Sequence, residues 1–285
     1  MASNALVIDR LVASPRPVDS GMVEPDRPRV AMAGTLIDPL DLAAAVERIR
    51  QFLRSGTAHQ VVTVNLDFLA IAARNVRFQT AINQADLAVP DGMPLVWLSR
   101  LRGEQLPERV AGVDLVDACC ALAAETGDGV FLLGAGPGIA ESAARQLELR
   151  HPGLRIVGTY SPAMGQADAA DNASMVRIVR DAKPGFLFVA LGAPRQDLWI
   201  HDHLDQLGVP VAMGVGCVLD LLAGTVTRAP VWMQHTGFEW SYRLLHEPGR
   251  LWRRYLLEDI PTLIRLLLET SPEVDRDPLA AATRL

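Results

Sequence analysis

The sequence predicts an α/β fold: a largely parallel sheet flanked by helices, with a C-terminal helical appendage. Apolar runs of strand length alternate with amphipathic helix-length segments along most of the chain, as a βα repeat requires. The runs, such as "VVTV", "VFLL" and "FLFVAL", are continuously apolar, which suits strands covered by helices on both faces. After Ala229-Pro230 the pattern changes to helix upon helix, so a separate appendage is expected there.

Taken in order, residues 1–28 carry Pro15, Pro17, Pro25 and Pro28 among charged and small residues, and are expected to form a disordered leader. "RVAMAGTLI" reads as one strand, with Asp38-Pro39 as N-cap and first residue of a helix that Gly56 ends. "HQVVTVN" is a strand, "DFLAIAARNVRFQTAINQ" helical, "ADLAVPDG" a short strand and turn, and "VDLVDACCALAAETG" a helix. Three further strands are "GVFLLGAG", "LRIVGTY" and "GFLFVALG", each followed by a helical segment, and "VPVAMGVG" closes the series. The organisation is therefore an α/β domain over 29–229, an appendage over 230–270 and a disordered tail over 271–285.

A formal charge of −6 argues against a nucleic-acid-binding surface, because phosphate backbones need a basic footprint. Cys119, Cys120 and Cys217 form neither a disulfide framework nor metal-ligand spacing, so the adjacent pair is expected in the core and the compartment to be reducing. The N-terminus lacks a secretory pattern, and no run reaches the roughly 18 apolar residues of a spanning helix. A cytoplasmic protein, able to touch a membrane peripherally, is expected.

In open α/β sheets ligands bind beyond the carboxyl ends of the strands, so polar residues there are candidates. Thr63 and Asn65 lie two apart at a strand end and share a face, although Asn65 also suits a helix N-cap. Asp91, in "VPDG", is either a general base or an ordinary turn residue. "LLGAGPG" places Gly134 and Gly136 in a Rossmann-like turn suited to a nucleotide, but Ile139 occupies the third glycine position and the next strand lacks a ribose-binding acid. Gln196, in "GAPRQD", and Asp220, in "GVGCVLD", either read a base or ribose or cap helices. Serine-hydrolase elbows, HExxH and P-loops are missing from the sequence, and His201 and His203 face different sides of one helix.

The ordered set "TVN", "PDG", "RVAGVDL", "LLGAGPG", "GAPRQDLWI", "GVGCVLDLLAGTVTRAP" and "FEWSYRLLHEPGRLWRR" closely resembles the TagA/WecG/CpsF glycosyltransferases, family 26, over about residues 30–268. The resemblance implies an inverting, metal-independent and cofactor-free hexosyltransferase. It would take a UDP-sugar donor and a polyprenyl-diphosphate-linked sugar acceptor in bacterial surface polysaccharide biosynthesis. It implies Asp91 as catalytic base and Thr63 and Asn65 as active-site contacts. Gln196 and Asp220 would hold the nucleotide-sugar, and Arg243, Arg250 and Arg253 would close over the diphosphate. Arg195, Asp197, Cys217 and Leu219 depart from the residues frequent in that family.

Arg250 and Arg253 lie three apart and share a helical face, but taken without the resemblance such arginines are better accounted for by ion pairs with Glu239, Glu247 and Glu258. Trp232, Trp240, Trp252 and Tyr255 interleave them, a mixture suited to a membrane interface. The stripe Leu256, Ile260, Leu263, Ile264 and Leu267 fits either a membrane surface or the main domain. Two other readings compete: an NAD- or S-adenosylmethionine-dependent Rossmann enzyme working from "GAGPG", and a non-catalytic scaffold of a polysaccharide assembly. A homo-oligomer is compatible with each.

Overall fold

The computed structural model describes residues 28–104, 106–162, 169–235, 237–246 and 248–268. The expected leader before residue 28 and the tail over 271–285 lie outside the described residues.

The stretch expected as one strand is a hairpin of β1 (Val30–Met32) and β2 (Thr35–Ile37), paired antiparallel. Ala33 and Gly34 both take positive φ, 49° and 75°, the two-residue turn geometry that reverses a chain tightly. Asp38 does not cap the next helix: its carboxylate accepts from Arg29 Nε at 3.0 Å and from the Ala88 amide at 2.7 Å. The helix α1 (Leu42–Ser55) starts three residues later, capped by Asp41 and ended by left-handed Gly56.

Next come β3 (His59–Val64), α2 (Leu66–Ala72) and α3 (Val76–Asn83). The single helical stretch read between Asp67 and Gln84 is thus two helices, because the Asn75 side chain caps a new start by accepting from the Phe78 amide. They are followed by β4 (Leu87–Pro90), α4 (Met93–Leu101), α5 (Gly112–Thr126) and β5 (Gly129–Gly134). The sequence reading assigned no structure to α4, whose mostly apolar face pattern lacks a side-chain N-cap. Then follow α6 (Ile139–Arg150), β6 (Arg155–Tyr160), α7 (Ala169–Ala182), β7 (Phe186–Ala190), α8 (Arg195–Leu207), β8 (Val211–Gly214) and α9 (Val218–Leu222).

Strands β3 to β8 form one all-parallel sheet in the order β4-β3-β8-β7-β5-β6. Successive side chains of its central strands enter opposite cores: Phe186 and Phe188 pack on the α1, α5 and α6 side, Leu187 and Val189 on the α7 and α8 side. That two-sided burial is why the strands read as unbroken apolar runs. Cys119 and Cys120 are both buried within α5.

The C-terminal elements are α10 (Val231–His235), α11 (Glu239–His246), α12 (Pro248–Arg253), a π-helical segment (Arg254–Asp259) and α13 (Ile260–Leu268). They lie against the sheet body: Leu266 of α13 is buried in one cluster with Leu95 and Leu98 of α4 and Phe68 of α2. Among the described residues no helix is long and apolar enough to cross a membrane.

Candidate active site

A cavity of about 740 Å³ opens beyond the carboxyl ends of β3, β4, β7 and β8, roofed by α11 and the π-helical segment. Parallel strands end together at one rim, so the residue after each apolar run is delivered to the same place. Thr63 and Asp91 arrive there from the neighbouring strands β3 and β4, whose register pairs Thr63 with Val89 and Val64 with Pro90. A β-carbon placed on Gly112 would lie 3.5 Å from both Asp91 Oδ2 and Thr63 Oγ1, so the two polar groups sit over one glycine at the start of α5.

Desolvation pushes the Asp91 carboxyl up to about 6. The Arg109 and Arg243 cations and the Gly112 amide oppose that rise, and Glu239 adds to it. A carboxylate tuned towards neutrality is a better proton acceptor than a solvated one. Asn65 also lines the cavity, and its Oδ1 caps α2 by accepting from the Phe68 amide at 3.1 Å, so both readings of that residue hold at once.

Gln196 enters at the start of α8, after a turn containing the cis peptide Ala193–Pro194. It is 2% exposed, and its Oε1 accepts from the Gly216 amide at 3.0 Å, fixing the turn between β8 and α9. Asp220, in the first turn of α9, lines the same cavity. Beside Gln196 lies Asp197, fully buried, its carboxylate oxygens without a well-formed hydrogen bond among the described residues. Burial drives its carboxyl up to about 7, against a smaller pull from the Gln196 side chain.

Three guanidinium groups line the cavity, those of Arg109, Arg243 and Arg254. Arg243, from α11, donates to Cys217 Sγ at 3.1 Å. Arg109 pairs with Glu239 at 2.7 Å, both side chains mostly buried, which ties the loop before α5 to the first turn of α11. Arg254 meets Asp67 of α2 at 3.2 Å and Asp259 at 3.8 Å, tying the π-helical segment to the sheet body. Desolvation raises the carboxyls of both Asp67 and Asp259, the latter to about 7, with Arg254 opposing in each case.

Of the residues singled out in the sequence, Thr63, Asn65, Asp91, Gln196, Asp220 and Arg243 are brought together. Gly134 and Gly136 are not among the lining residues. Gly134 has φ of +102°, and a β-carbon there would lie 2.5 Å from the Ala190 carbonyl oxygen, so close passage of β5 against β7 demands glycine at that position. Arg253 also stays outside the lining, its guanidinium 5.3 Å over the ring of Trp252, while Arg254 faces in. The wider π-helical turns begin at Arg254 and run to Asp259. The Arg250 side chain and all of Glu247 lie outside the described residues.

Arg109, Glu239, Asp67, Arg254 and Asp259 were not selected as site residues from the sequence. The first had a signal, its place in the motif "RVAGVDL". The others become visible only once the C-terminal helices fold back over the sheet. Among the described residues no three His, Cys, Asp or Glu side chains gather to hold a metal.

Residues 30–274 match the glycosyl transferase WecG/TagA/CpsF family. Two curated relatives, from Staphylococcus aureus strains MW2 and COL, are 30% identical over 250 residues, covering 87% of this chain and 95% of each relative. Both are named N-acetylglucosaminyldiphosphoundecaprenol N-acetyl-beta-D-mannosaminyltransferase.

Proposed function

Since the chain belongs to the glycosyl transferase WecG/TagA/CpsF family, we propose that it moves an N-acetylmannosamine-type sugar from a UDP-sugar to a sugar held on polyprenyl diphosphate, with inversion. The family sets aside the dinucleotide-dependent and scaffold readings. The observation that carries the rest is the arrangement of one desolvated carboxylate, Asp91, among guanidinium groups at the carboxyl rim of the sheet.

The acceptor hydroxyl gives its proton to Asp91 as its oxygen bonds to the anomeric carbon, and the bond from that carbon to the diphosphate oxygen breaks on the opposite face. The electron pair leaves with the UDP, so negative charge grows where the donor diphosphate lies. Guanidinium groups stay charged, match phosphate oxygens in pairs and act strongly in a water-poor site, which suits Arg243 and Arg254 to that charge. Thr63, over Gly112 beside Asp91, orients the incoming hydroxyl. Gln196 holds the Gly216 turn, and with Asp220 it shapes the nucleotide end. Arg250 and Arg253 join the diphosphate when the appendage closes over bound substrate.

The same reading assigns the C-terminal helices to the inner face of a membrane, where a polyprenyl acceptor resides. Support comes from Trp232, Trp240, Trp252, Leu257, Ile264 and Leu267, all at least 38% exposed on these helices with arginines interleaved. Flotation with anionic liposomes is expected to carry the full chain to the lipid layer, whereas a chain ending before Gly237 stays below; equal flotation of both would remove the appendage from that role.

The transfer is tested by incubating the enzyme with a panel of UDP-sugars and an N-acetylglucosaminyl-diphosphate-lipid, and reading the product by mass and linkage. One added N-acetylhexosamine in an inverted linkage is expected. Release of UDP without growth of the acceptor would contradict it.

A further inference from the structure

The cavity lining is chemically mixed. Besides the charged Asp91, Arg109, Asp220, Arg243 and Arg254 it includes the apolar Met93 and Trp97 of α4, Phe238, and Ile260 and Leu263 of α13. The base of a nucleotide-sugar can stack on one aromatic ring, but the donor has no hydrocarbon to cover the aliphatic Met93, Ile260 and Leu263. An amphiphile with a charged head and a hydrocarbon tail uses both kinds of lining.

The apolar residues do not stop at the cavity. Met93, Trp97 and Leu101 are spaced four apart and form one stripe on α4, while Ile260, Leu263, Ile264 and Leu267 form one on α13. The N-terminal part of each stripe lines the cavity. The outer members are open, with Leu101 73%, Ile264 51% and Leu267 53% exposed. The two helices are in contact: the Arg102 guanidinium just after α4 donates to the Leu266 carbonyl of α13, and Leu266 is buried in one cluster with Leu95 and Leu98. On both helices, apolar residues therefore continue from the cavity lining to exposed positions. Trp97 is held at the entrance: a β-carbon on Gly237 would lie 2.6 Å from its Cη2, so the turn into α11 packs directly on the indole.

We propose that this α4/α13 track binds the first isoprene units of the acceptor's polyprenyl chain, so that the enzyme recognises the lipid as well as the head group. The proposal rests on the transfer reading above. The acceptor's diphosphate must reach the arginines while its hydrocarbon seeks an apolar surface, and the apolar residues of α4 and α13 line the same cavity as those arginines. Once bound there, the chain leaves the protein along the exposed face of α13, the same surface assigned to the membrane.

The test compares two acceptors with one sugar-diphosphate head group, one on a polyprenyl chain and one on a hexyl chain, both in detergent micelles so that no bilayer is needed. Wild-type enzyme is expected to favour the polyprenyl acceptor in kcat/KM by about tenfold or more, the effect of roughly two buried methylenes. Trp97→Ala and the surface variant Ile264→Ser are each expected to cut that preference severalfold, through KM rather than kcat. Ile264 is half exposed, so its variant tests the track even if loss of the indole disturbs the fold. No chain preference in wild type, or an unchanged preference in both variants, overturns the track and leaves the transfer reading standing. Variants that lose activity on liposomes yet keep the preference in micelles assign the stripes to bilayer contact, and a change in oligomer mass with the preference intact assigns them to a second copy; either result overturns the track. Failure of wild type to extend either acceptor overturns the transfer reading and the track together.

Discussion

In the proposed transfer Asp91 is the base, and burial and charge act on its carboxyl in opposition. With its carboxyl at about 6, log kcat/KM is expected to climb with pH below that value and flatten above it, as the base loses its proton. Asp197 supplies a stability test at the same scale. Its folded carboxyl titrates at about 7, above the ordinary value near 4 of an unfolded chain. The folded state therefore binds the proton more tightly, and stability falls as pH rises from about 4 to about 7. Asp197→Asn removes that slope, so its melting temperature should gain on wild type at pH 8 and lose that advantage towards pH 5; a difference constant across this range would contradict the account. Thr63, Asp91, Gln196 and Asp220 were legible in the sequence because each follows an apolar run, and parallel strands end at a common rim. Arg109 and Glu239 were not, because their 2.7 Å contact joins residues 130 apart through tertiary packing that no local pattern encodes.

Among elements, the turn at Gly237 sets where α11 sits. Its φ is +75°, and a side chain there would strike Trp97 and Met93. Gly237→Val is expected to destabilise by about 1–3 kcal/mol, seen in chemical denaturation, and to lower kcat/KM by moving Glu239 and Arg243 away from Asp91. The central strands were readable because burial on both faces leaves them no polar positions. The β1–β2 hairpin was not, since three-residue strands are too short to show a period and Ala33 gives no warning of its left-handed backbone. The shift from α- to π-helical turns at Arg254 was equally silent, and Arg254 rather than Arg253 lines the cavity. The ion pairs from Arg254 to Asp67 and from Arg74 to Glu258 then fasten that segment to α2 and to the turn after it.

At the scale of the whole molecule, the sheet supplies a rigid rim and the C-terminal helices supply the roof, so the site exists only where the two meet. The sequence showed the change of rhythm after Pro230 but not that the following helices fold back over the strand ends, which depends on Leu266 entering a core built by α2 and α4. The amphipathic faces left on the outside are the ones that meet lipid in the proposed function, and liposome flotation separates that role from simple packing. The most direct measurement is single-turnover transfer from a UDP-sugar to the lipid-diphosphate acceptor by wild type and Asp91→Asn, with UDP affinity measured on both. The account predicts retained UDP binding and transfer slowed by about 100-fold or more in the variant, the order of a lost general base. Transfer at a near-normal rate by Asp91→Asn would contradict it.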